Sequence, residues 1–159
     1  MATTSLSKAC GFSGLRIGVV AAAPAPMAEI ARSHVSRLGA SVVAQRGAIA
    51  ALETKREWFP ALFRLQRANQ ARLVTQAGRL PGCVPLVVPS QGNFVAIDVA
   101  GTGLPAPEIA RPLLRRNLSI GRGEYTSARF ATRFVRITTT VPVSYIEALC
   151  AALHEVLAE

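Results

Sequence analysis

The hydrophobic pattern changes its period several times along the chain, and each change predicts an element. Residues 15–23 are apolar and partly β-branched, the pattern of a strand buried on both faces, and Pro24 and Pro26 end it. A helix is predicted over 27–38 with Ile30, His34 and Leu38 on one face, where His34 reads as a packed side chain rather than a base. Gly39 breaks that pattern, and Ser41 stands where it can cap a second, alanine-rich helix through Leu52. Residues 57–78 form a long amphipathic pattern that offers Trp58, Leu62, Leu65, Leu73 and Ala77 to a core, with Pro60 in the first turn. After the turn at Pro81-Gly82, strands are expected at 86–88 and 93–99, a loop at 101–107 and a short helix at 108–116 that contains Pro112. Residues 118–120 and 134–140 complete a small sheet of mixed strands. Ser144 and Glu147 have the spacing of a capping box, and Ile146, Leu149, Cys150, Leu153 and Val156 form the stripe of a last helix, with His154 beside it as a structural residue.

This order is one strand–helix unit, a linker helix pair and a compact α/β region, without internal repeats. The 159 residues suffice for one core, or for a small domain plus part of another, and half of them are apolar with 17% charged, which excludes general disorder. No apolar run reaches the roughly 18 residues of a membrane span, and the start lacks the basic and apolar segments of a secretory signal. Cys10, Cys83 and Cys150 are scattered without metal spacing and read as reduced thiols of a cytoplasmic protein.

A formal charge of +9 raises nucleic-acid binding as a possibility. The arginines are spread thinly, only Lys8 and Lys55 are lysines, and few aromatics interleave with them, so neither nucleic acid nor membrane is expected as a partner.

The candidate chemistry lies near the start. Ser5, Ser7, Lys8 and Arg16 gather two hydroxyls, an amine and a guanidinium within twelve residues, with Gly11 and Gly14 to turn the backbone. Ser5 and Ser7 are two apart and share a face if the chain is extended. A neutralised amine forms a Schiff base with an aldehyde, and a guanidinium with hydroxyls holds a phosphate dianion.

The stretch Ser5-Leu6-Ser7-Lys8-Ala9-Cys10-Gly11-Phe12-Ser13-Gly14-Leu15-Arg16-Ile17-Gly18 resembles the lysine signature of the class I/II, fold-type I, pyridoxal-phosphate aminotransferases. Ala44-Gln45 with Ala48, Ala50, Ala51 and Leu52 is similar to the helix after that family's domain junction. Pro89-Ser90-Gln91-Gly92-Asn93-Phe94-Val95 resembles its small-domain strand, in a form that leans toward the histidinol-phosphate aminotransferase branch and is shared by threonine-phosphate decarboxylases. Phe134-Val135-Arg136-Ile137-Thr138 resembles the segment whose arginine grips the substrate carboxylate.

The resemblance implies an α/β fold, the C-terminal part of a fold-type I transferase. Residues 1–38 would end the large pyridoxal-phosphate domain, and 39–159 would form linker helices and the small domain. It implies Lys8 as the Schiff-base lysine and the acid–base of transamination, Ser5, Ser7 and Arg16 on the phosphate of pyridoxal 5'-phosphate, and Arg136 with Asn93 on the substrate. Amino acids and 2-oxo acids are the implied substrates, and a homodimer the implied form of the complete enzyme. One requirement is unmet: the cofactor's ring nitrogen needs a carboxylate. Asp98 is the only aspartate, and it sits on a small-domain strand; the family's aspartate lies upstream of the lysine. The chain is therefore expected to be N-terminally truncated and inactive alone. A noncatalytic remnant or partner-dependent half, a decarboxylase or lyase of the same fold, and a basic binding module stay open as alternatives.

Overall fold

The computed structural model describes residues 1–33 and 39–158, so His34 and Leu38 of the second expected element lie outside the described residues. Among them, contacts divide the chain into two compact units, Met1–Phe59 and Pro60–Glu159.

The first unit opens with an antiparallel pair, β1 (Ala2–Ser5) and β2 (Gly18–Ala21), joined through a short helix α1 (Leu6–Ala9) and a 3-10 turn at Ser13–Leu15. The apolar run at 15–23 therefore yields a four-residue strand, and all of its residues are exposed rather than buried. A strand is buried only when sheets or helices cover both faces, and β2 pairs with β1 alone. Pro24 starts α2 (Pro24–Ser33) three residues earlier than expected, since proline suits the first helical position. Ser41 precedes α3 (Val42–Glu53) as its N-cap residue, but its hydroxyl makes no capping bond. On α3, Ala44 and Ala48 are buried, and Gly47 faces the Phe12 and Leu15 side chains, which a Cβ there would meet at 3.5–3.9 Å. Trp58 is half-buried, its indole N–H donating to the Ala51 carbonyl at 3.1 Å and its ring meeting Phe59 edge-on.

The helix α4 (Lys55–Ala77) begins two residues before its expected start. Pro60 thus falls beyond the first turn, where it removes one backbone bond. The second unit contains most of this helix and an antiparallel sheet of β3 (Val84–Leu86), β4 (Phe94–Asp98), β5 (Gly121–Arg122) and β6 (Phe134–Thr138), in the order β3-β4-β6-β5. Every pairing is antiparallel, not mixed. Val87 at φ 51 ends β3 at Leu86, which moves that strand toward the N-terminus of its expected place. Asn117 at φ 61 closes α5 (Ala106–Arg115), and Leu118 turns back to bond the Leu113 carbonyl, so the expected 118–120 strand is displaced to β5.

Alternation on β4 and β6 sends Val95, Ile97, Val135 and Ile137 to one face. There they join Leu73 and Ala77 of α4, Ile109 and Leu113 of α5, and Ile146, Leu149 and Leu153 of α6 (Val143–Ala158) in a continuous core. Three fully buried side chains, Ala106, Ile109 and Leu113, hold α5 in place despite Pro112. The expected capping box does not form: α6 starts at Val143, which puts Ser144 inside the helix, and Glu147 instead faces Arg72 at 3.4 Å. His154 is exposed.

Candidate functional site

In the first unit, Ser5 leaves β1 in extended backbone and becomes the N-cap of α1. Its Oγ accepts the Ser7 N–H at 3.2 Å and donates to the Ser7 hydroxyl at 3.0 Å. The two hydroxyls meet through this cap, not through neighbouring positions on a strand. Lys8 follows in the last turn of α1, exposed and with no hydrogen bond or ion pair among the described residues. Arg16 ends the 3-10 turn in left-handed backbone at φ 51 and is fastened by donating from Nη1 to the Ser13 carbonyl at 3.0 Å. It returns to the same place as the serines, because Leu6 N–H reaches the Ile17 carbonyl and Ser5 pairs with Gly18. No acidic residue occurs before Glu29, and Glu29 is engaged by Arg32 at 2.8 Å. The loop is therefore a cluster of donors without a carboxylate of its own.

In the second unit, the sheet face opposite the core carries Phe94, Ala96 and Asp98 from β4 and Phe134, Arg136 and Thr138 from β6. Arg136 pairs with Ala96 on one side and Gly121 on the other. The lack of a side chain at Gly121 matters here: a Cβ would stand tightly, 3.4 Å from Arg136 Nε and 3.2 Å from its carbonyl oxygen. The guanidinium lies over the Phe94 ring, 4.8 Å from its centroid, a cation–π seat that leaves the N–H edges available. Among the described residues no carboxylate pairs with it. Asn93 stands just before β4; its carbonyl accepts the Thr139 N–H at 2.8 Å, and its half-buried side chain makes no hydrogen bond among the described residues.

Asp98 and Arg133 close the other end of this face at 2.7 Å, beside an open groove of about 360 Å³ lined by Leu86, Phe130 and Phe134. Partial burial works against the Asp98 charge. The Ala100 N–H and the Arg133 guanidinium outweigh it and hold the carboxyl below its ordinary range. The only aspartate is thus committed to a local ion pair. Sequence reasoning singled out Arg136 as the expected substrate-side arginine but did not foresee its seat on Phe94, and it missed the Asp98–Arg133 pair, whose partners are 35 residues apart. Only the register of β4 with β6 brings those partners together.

The family profile described as aminotransferase class I and II matches residues 1–153. The chain belongs to that family. Among its curated relatives, the histidinol-phosphate aminotransferase of Rhodospirillum centenum is 32% identical over 118 residues, which is 74% of this chain and 31% of the relative. The CMP-5'-(3-aminopropyl)phosphonate synthase of Streptomyces rubellomurinus is 33% identical over 70% of this chain and 17% of its own length. The histidinol-phosphate aminotransferase of Sinorhizobium meliloti, solved in complex with pyridoxal-5'-phosphate, superposes with a TM-score of 0.81 at 28% identity, over 98% of this chain and 40% of that one. The chain thus shares its fold with part of a fold-type I enzyme and spans well under half the length of these members of the family. Among the described residues no helix is long and apolar enough to cross a membrane.

Proposed function

We propose that these residues carry the lysine and the carboxylate-gripping arginine of a pyridoxal-phosphate-dependent aminotransferase, acting on an amino acid or amino-phosphate and a 2-oxo acid. The observation that supports this best is the acid-free loop in which the Ser5 cap gathers two hydroxyls next to Lys8, with Arg16 returning beside them. This donor set suits the aldehyde and phosphate ends of the cofactor: an unpaired amine for the first, hydroxyls and a planar guanidinium for the second. Pyridoxal phosphate, when bound, supplies a carbonyl that exchanges amines and a ring that withdraws electrons.

Lys8 then holds the cofactor and moves a proton at the substrate Cα. Arg16 and the two serines fix the phosphate. Arg136 clamps the substrate carboxylate in two points and so orients the bonds at Cα, with Asn93 as a second substrate-side contact. In the complete fold we assign 1–38 to the end of the large domain and 39–159 to the linker helices and small domain, in an enzyme that works as a homodimer. The carboxylate for the ring nitrogen is assigned to residues other than these. Free Cys10, Cys83 and Cys150 suit a cytoplasmic setting. The histidinol-phosphate branch is the preferred placement, supported by the 32% identity to the Rhodospirillum centenum relative.

The test is chemical. Pyridoxal phosphate is added to the chain, the product is fixed with borohydride, and the labelled peptides are mapped by mass spectrometry. Because Lys8 and Lys55 are the only lysines, the map is unambiguous. Label concentrated on Lys8 and lost in Lys8→Ala is expected; equal labelling of Lys55 and the N-terminal amine would refute the assignment.

A further inference from the structure

Helix α4 carries a polar row that its apolar pattern does not explain. Gln70 is only 3% exposed, and a buried primary amide is costly unless its donors and acceptor are matched. Here they are. Its Nε2 donates to the Ser90 and Gly92 carbonyls, each at 3.1 Å, and its Oε1 accepts from Arg67 Nη1 at 3.2 Å. Arg67 adds a bond from Nη1 to the Ser90 carbonyl at 3.1 Å and one from Nη2 to Gln91 Oε1 at 3.3 Å. Gln66 adds a second donor to the Gly92 carbonyl at 2.5 Å. Three consecutive residues of the turn are thus held by three side chains of one helix.

What that turn supports is the seat of Arg136. Gly92 lies against the Phe94 ring, since a Cβ there would stand 3.6 Å from Phe94 Cε1. The same ring carries the Arg136 guanidinium, 4.8 Å from its centroid. A displacement of the turn moves the ring and with it the direction in which the guanidinium presents its donors. The apolar core and the β4–β6 pairing are made by other residues than this row.

We propose that Gln70, seconded by Gln66 and Arg67, is a positioning residue that holds the 90–92 turn, and through Phe94 aims Arg136 at a carboxylate. This rests on the reading of Arg136 given above, and the experiment separates the two. The chain is labelled with ¹⁵N-arginine, and pyruvate is titrated in while the Arg136 Nε–Hε signal is followed. That signal is assigned by its loss in Arg136→Lys, and pyruvamide serves as the uncharged control. In the wild type a saturable shift with pyruvate and none with pyruvamide is expected.

Gln70→Leu, which keeps the volume and removes the donors, should weaken that binding about five-fold or more, as the loss of two buried hydrogen bonds to the turn would allow. Gln70→Glu keeps the contact with Arg67 but faces the two carbonyls with acceptors, and it should weaken binding at least as much. Both variants should keep the core amide signals of α5 and α6. A wild-type response left unchanged in both variants overturns the positioning role while leaving the reading of Arg136 intact. No wild-type response at Arg136 overturns that reading and this inference with it. Unfolding of both variants makes Gln70 a residue of the fold alone, and the proposal falls.

Discussion

At the scale of single residues, the two arginines given roles above, one in each unit, differ in how they are held. Arg16 is fixed by a hydrogen bond to the Ser13 carbonyl within its own loop, whereas Arg136 is fixed by stacking on Phe94 and keeps its planar fork available. A lysine at 136 would keep the charge but lose both the stacking and the two-point contact. In a catalytically complete enzyme containing these residues, Arg136→Lys should leave the cofactor absorbance in place and raise the apparent KM for amino acids. The loss in kcat/KM should be on the order of 2–4 kcal/mol, the range for a charge-assisted bidentate contact. Steady-state kinetics check this. An unchanged KM in Arg136→Lys beside a raised one in Arg16→Lys would exchange the roles of the two arginines.

At the scale of elements, the turn after α4 is where backbone geometry leaves least freedom. Gly82 has φ +77, and a Cβ there would strike the Gly101 carbonyl group and the Thr102 nitrogen. Gly101 is confined too, though less tightly, with Gly82 Cα 2.8 Å from its would-be Cβ. Two glycines therefore let the turn that ends α4 close against the turn that follows β4. Gly82→Ala combines left-handed strain with a backbone clash, and it should lower stability by more than about 2 kcal/mol in urea unfolding followed by circular dichroism. Gly103→Ala shares the positive φ but meets nothing within 4 Å, so it should cost clearly less.

At the scale of the molecule, apolar surface is unevenly distributed. Exposed large apolar side chains occur in both units, and in the first Val42, Ile49 and Leu52 stand exposed at spacings of seven and three on α3, with Val19 and Val20 exposed on β2. A contiguous apolar helix face of this kind favours association. Sedimentation of the chain should show concentration-dependent self-association, and the pair Ile49→Gln and Leu52→Gln should reduce it. A monodisperse monomer with a single cooperative melt would show that these side chains are harmlessly exposed.

Sequence alone determined the elements whose signal is local. The stripe of Ile146, Leu149, Cys150, Leu153 and Val156, the existence of strands at β4 and β6, and the compact donor set from Ser5 to Arg16 were all legible, because local composition and short spacing encode them directly. Tertiary structure decided what depends on partners distant in the chain. The run at 15–23 reads as buried, yet burial is set by what covers a strand and not by the strand's own residues. The shifts of β3 and β5 follow from left-handed backbone at Val87 and Asn117, residues whose type does not announce it strongly. Asn69 and Gln70 interrupt an apolar pattern as if they were surface residues. They are buried because carbonyls 20 to 72 residues away accept their amide hydrogens. A periodic pattern records which side of an element is apolar. Only the fold supplies the hydrogen-bond partners that let a polar side chain stand there.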